Sequence, residues 1–153
     1  MKLSEALILR ADIQKRVEQL RARLQASVMV QEGEQPPEDP QALLTELDDL
    51  LTQLGTLIAQ INRTNLNARL ESGQTVTGAL AQRDSLTLRI SVLRSAADTA
   101  ATPVARYGRA EIRRLPTIDI SALRRQIDTL ARDLRELDTS IQATNWTTEL
   151  MEQ

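Results

Sequence analysis

From Ile120 onward, Ile120, Leu123, Ile127, Leu130, Leu134, Leu137 and Ile141 recur in alternating steps of three and four. That spacing draws one apolar stripe along an α-helix and excludes a strand, whose faces alternate every two residues. The same period runs through most of the chain. Leu3, Ala6, Ile13, Val17, Leu20 and Leu24 follow it over about 3–29, with Arg10 intruding at an a position. Leu43, Leu47, Leu50, Leu54, Leu57 and Ile61 follow it over about 40–70, and Leu86, Ile90, Leu93, Ala97 and Ala100 over about 76–101. The last helix spans about 120–146. A second row on the 40–70 segment, Leu44, Leu51 and Ile58, widens its stripe, so this helix is expected to be the most buried.

Proline and glycine punctuate the pattern at three places: Pro36, Pro37 and Pro40; Gly73; and Pro103, Gly108 and Pro116. Asp39 before Pro40 and Asp119 before Ile120 are helix-start signals, because a carboxylate can accept from free N–H groups of the first turn. Four helices of matched length in a single domain, residues 1–153, predict an all-α fold. The arrangement is an antiparallel bundle or paired helical hairpins. Ser27–Val30 and Ile112–Ile118 are β-prone enough to leave room for a short two-stranded β ribbon at one end.

Composition narrows the chemistry. The 153 residues contain no His, Cys or Phe, and Tyr107 and Trp146 are the two aromatics. Cys/His zinc sites, thiolate nucleophiles, Ser-His-Asp triads and His- or Cys-ligated haem are therefore excluded. Glu46 and Asp49 could share a helix face, but such a pair is unspecific for a metal. The expectation is no enzyme, no metal and no cofactor. No apolar run approaches the roughly 18 residues of a membrane span. Glu5 and Arg10 bracket too few apolar residues for a signal peptide, and a cytoplasmic location is expected.

Charge is unevenly distributed. Between Leu24 and Asn62 there are seven acidic residues and no basic one, whereas Arg89–Arg125 carries eight basic residues against three acidic. In an alternating topology the acidic first connection (Glu32, Glu34, Glu38, Asp39) and the basic third one share an end. Arg106, Tyr107, Arg109, Arg113 and Arg114 then form a loop-docking or anion-binding cluster. Nucleic acid is not an expected partner, since the patch is short and the net charge is −2.

A second set of polar residues occupies positions that the heptads assign to the core: Arg10, Thr64, Asn65, Arg83, Thr144, Asn145 and Trp146, with Glu5 or Asp84 as a counter-charge. Buried Arg and Asn are costly without partners, so these residues are expected to bond one another. The network either fixes register and oligomer state or lines a small polar pocket.

Particular strings also resemble a known family: Lys2-Leu3-Ser4-Glu5-Ala6-Leu7, Arg10-Ala11-Asp12, Ile61-Asn62-Arg63-Thr64-Asn65, Ala79-Leu80-Ala81-Gln82-Arg83-Asp84, and Ile141-Gln142 with Asn145-Trp146. They resemble short bacterial helical proteins labelled septicolysin-like. The resemblance implies an all-helical bacterial protein, and the label implies a cytolysin; no catalytic residue is carried over. The leading expectation is a non-enzymatic, homo-oligomeric assembly or interaction protein. The alternatives are a membrane-active cytolysin-like protein and a binder of a small polar ligand.

Overall fold

The computed structural model describes residues 1–102 and 114–152. Four helices account for most of them: α1 (Leu3–Ser27), α2 (Pro40–Asn67), α3 (Val76–Ala101) and α4 (Ile120–Thr147). Local signals set their starts. Glu5 Oε2 accepts from the Lys2 N–H at 2.7 Å at the head of α1. Asp39 accepts from the Gln41 N–H with Pro40 in the first turn of α2. Thr75 Oγ1 accepts from the Gly78 N–H, and Asp119 Oδ1 from the Ala122 N–H. Each cap satisfies a backbone donor that has no partner inside its helix. Gly73, at φ 85°, makes the tight turn in which the Leu70 N–H reaches the Gln74 carbonyl.

The chain gathers into two compact units, Met1–Arg69 with Gln142–Gln153, and Leu70–Ile141. In the first, α1 and α2 form an antiparallel hairpin. Leu3, Ala6, Ile13 and Leu20 of α1 join Leu43, Leu50, Leu57 and Ile61 of α2 in one core, which Leu150 completes. The end of α1 meets the start of α2 through Arg23 and Glu38. In the second unit, Ile90 and Ala97 of α3 pack with Ile127 of α4, flanked by Leu93, Leu123, Leu130, Ala131 and Leu134. These are the a/d rows read from the sequence.

Two expectations are corrected. The row Leu44, Leu51 and Ile58 does not widen the buried stripe of α2: these residues are 41%, 45% and 36% exposed. They lie about 100° around the helix from Leu43, Leu50 and Leu57, which already face α1. The β ribbon is also unsupported. Ser27 ends α1, and the Val28 N–H closes the helix on the Leu24 carbonyl at 3.1 Å, with Val28 itself at φ −86°, ψ −9°. Helix closure thus overrides the β preference of Val28-Met29-Val30. Neither residues 28–30 nor 114–118 form a strand, and Ile112 and Arg113 lie outside the described residues. Among the described residues an isolated antiparallel bridge instead pairs Lys2 with Glu149.

Gly55 sits in the interior of α2, where a glycine costs about 0.5–1 kcal/mol relative to alanine. A Cβ built there would meet nothing within 4 Å. Nothing among the described residues requires the small residue.

Candidate functional site

Three places concentrate polar or exposed apolar chemistry. At the open end of the α1/α2 hairpin, residues 148–151 leave α4 and close over the chain start. The Leu3 N–H donates to the Thr148 carbonyl at 2.9 Å, and the Leu150 N–H to the Met1 carbonyl at 2.8 Å. The Met151 N–H donates to Thr64 Oγ1 at 2.9 Å, while the Thr64 hydroxyl donates to the Gln60 carbonyl. Thr64 is buried, and its hydroxyl therefore serves as a relay between α2 and the closing segment. Glu149 pairs with Lys2 Nζ at 2.6 Å and with the Met1 amine at 3.4 Å. The hydrogen bond from Lys2 holds its carboxyl below the ordinary glutamate value; partial desolvation opposes this, and the amine adds to it.

At the other end of the hairpin, Arg23 grips the acidic connection. Its Nε and Nη2 donate to the two Glu38 oxygens at 2.9 and 2.6 Å, and its Nη1 reaches Glu46 at 3.3 Å. The two-pronged hydrogen bond is the main cause lowering the Glu38 pKa, and the same pair drives the Arg23 pKa upward. A carboxylate whose folded pKa is depressed stabilises the fold above its unfolded value of 4.5, and that contribution disappears as pH falls through the folded value. We expect the melting temperature to drop on acidification below about pH 4.5. Glu38→Gln and Glu149→Gln should each melt lower at neutral pH and lose less on acidification. Thermal melts by circular dichroism across that range test both, and parallel wild-type and variant curves would remove these carboxylates from the account.

The positions singled out from the heptads do not all come together. Arg10, Asn65, Asn145 and Trp146 belong to the first unit, Arg83 and Asp84 to the second. Arg83 does pair with Asp84, at 3.0 Å, but between neighbouring residues at the surface. Trp146 is exposed. Asn145 is buried, and its Oδ1, like Arg10 Nε and Ser4 Oγ, is shielded with no hydrogen-bond partner among the described residues. Arg106, Tyr107, Arg109 and Arg113 lie outside the described residues, and Arg114 is exposed. Sequence reasoning missed Arg23 and Glu149, whose partners lie 15 and 147 residues away. It also missed Gly55.

The third place is the outer face of α2. Leu44, Leu51 and Ile58 form an exposed ridge at heptad spacing, extended by Leu66, which is 62% exposed. In the second unit an open groove of about 620 Å³ is lined by Ile90, Arg94, Ser95, Asp98 and Leu134. Among the described residues no group of three or more acidic side chains is placed to hold a metal ion, and no helix is long and apolar enough to cross a membrane.

The fold thus defines an all-helical protein whose first unit is a helical hairpin closed by its own C-terminal segment. The chain belongs to the family of unknown function DUF6847, whose model matches residues 10–150. It is similar to a solved structure described as a functionally unknown conserved protein from Corynebacterium diphtheriae, with 39% identity over 99% of both chains and a TM-score of 0.90. No curated protein matches, and none of these comparisons shows a septicolysin-like relationship.

Proposed function

We propose that this chain is a non-enzymatic helical assembly protein that associates with itself, acting in the cytoplasm without a cofactor or nucleic acid. The reading is carried by the ridge Leu44–Leu51–Ile58. Single exposed leucines are ordinary on protein surfaces. Large apolar side chains aligned at every seventh residue of a helix are the pattern of a helix–helix seam. The inner row of α2 is satisfied by α1, and the outer row has no such neighbour in its own hairpin.

Light scattering after size exclusion at micromolar concentration tests the proposal. The expected mass is a multiple of 17.1 kDa, with a dimer first by symmetry. A mass of one chain, with full helicity and cooperative melting, would overturn it. Dye release from lipid vesicles by the purified protein would replace it with the membrane-active reading that the septicolysin resemblance implies.

A further inference from the structure

We infer that two copies of this chain dock through the outer face of α2, antiparallel, about a two-fold axis that passes at Gly55. This rests on the proposal of self-association and adds its surface, its partner and its direction. The first observation is the glycine. Gly55 is exposed in the interior of a long helix, and a side chain there would meet open space. The helix thus carries the weakening cost of glycine with no close neighbour among the described residues in return, and the absence of a side chain permits another backbone to approach closely.

The second observation is the pattern around it. Leu44 and Leu66 lie eleven residues before and after Gly55, three helical turns in each direction. Both lie within about 20° of it around the helix axis, and Leu51 within about 40°. All of them are exposed. An exposed leucine three turns to either side of the glycine suits an isologous contact, in which the same patch serves both partners. In an antiparallel pair crossing at Gly55, Leu44 comes opposite Leu66 of the second copy, and Leu51 comes opposite the small Ala59.

Charge selects the direction. Glu46, Asp48 and Asp49 lie in the first half of α2, and Arg63 is the one charged residue from Leu50 to Asn67. Glu46 is engaged by Arg23 of its own chain, while Asp48, Asp49 and Arg63 are exposed. A parallel pair would set Asp48 and Asp49 against their own copies. The antiparallel pair sets them beside Arg63 of the other copy.

The absence of cysteine makes the test clean. In full-length protein, Leu44→Cys with Leu66→Cys should give a disulfide-linked dimer on oxidation, and neither single substitution should. Cross-linking by Leu44→Cys alone would show a parallel pair and overturn the inference. Gly55→Leu should weaken association at least tenfold by light scattering across a dilution series, with helicity unchanged because the added side chain meets open space. If the unsubstituted chain self-associates, but Gly55→Leu associates equally well and the cysteine pair stays unlinked, the surface is wrong and self-association stands. If the unsubstituted chain is a monomer, both fail.

Discussion

Removing residues 148–153 will take away a large part of the stability of the hairpin unit. Leu150 is 9% exposed and belongs to the same core as Leu3, Leu57 and Ile61. Loss of a buried leucine costs about 2–5 kcal/mol. Two backbone groups and one side-chain oxygen that the segment satisfies also lose their partners: the Leu3 N–H, the Met1 carbonyl and Thr64 Oγ1. Each such bond contributes about 0.5–1.5 kcal/mol net. The expected total is roughly 4 kcal/mol or more, against the 5–15 kcal/mol that usually separates folded from unfolded states. Urea unfolding followed by circular dichroism should show a much lower midpoint. Leu150→Ala should reproduce the core part of the loss and leave the backbone bonds in place. An unchanged midpoint in the truncated chain would mean that the closing segment does not hold the hairpin.

Leu50→Ala and Leu51→Ala should behave very differently, although the two residues are neighbours. Leu50 is 2% exposed and faces α1, so its truncation leaves a cavity at a cost of about 2–5 kcal/mol. Leu51 is 45% exposed. Its truncation should change the unfolding free energy of the dissociated chain by no more than about 0.5 kcal/mol. Its effect should instead appear in association, as a shift of the dilution midpoint measured by light scattering. Equal losses of folding stability would show that α2 buries both rows, and would remove the ridge from the surface.

The difference between these neighbours also separates what local sequence dictates from what it leaves open. The four helices were legible because their causes are local. Asp39-Pro40, Thr75 and Asp119 cap free N–H groups within a few residues of themselves, and Gly73 turns the chain at its own φ. The a/d rows Leu43–Leu50–Leu57 and Ile90–Ala97 were legible too, and they became the cores of the two units. Arg10 read as an intrusion, and it lies half-buried with its Nε shielded, since a long aliphatic stem can stay among apolar neighbours.

Periodicity alone did not decide which of two adjacent rows on α2 is covered. Both have the heptad spacing, and one neighbouring helix covers only part of the circumference. Only the packing of α1 settled that Leu50 is inside and Leu51 outside. The β ribbon failed for a related reason: the tendency of Val28-Met29-Val30 toward extended structure carries less weight than the completed last turn of α1. Arg23 and Glu149 were not legible as sites because each reads by itself as an ordinary solvated charge. Glu38, read as part of an acidic connection facing the basic one, is held by Arg23 instead. Their roles exist once the hairpin brings Arg23 to the head of α2, and the chain end returns to place Glu149 beside Lys2. Periodicity of 3.6 residues and capping dictate the four helices, their starts and the apolar rows that can turn inward. Which faces remain open, and which distant charges meet, was decided by tertiary structure, since those depend on contacts between residues far apart in the chain.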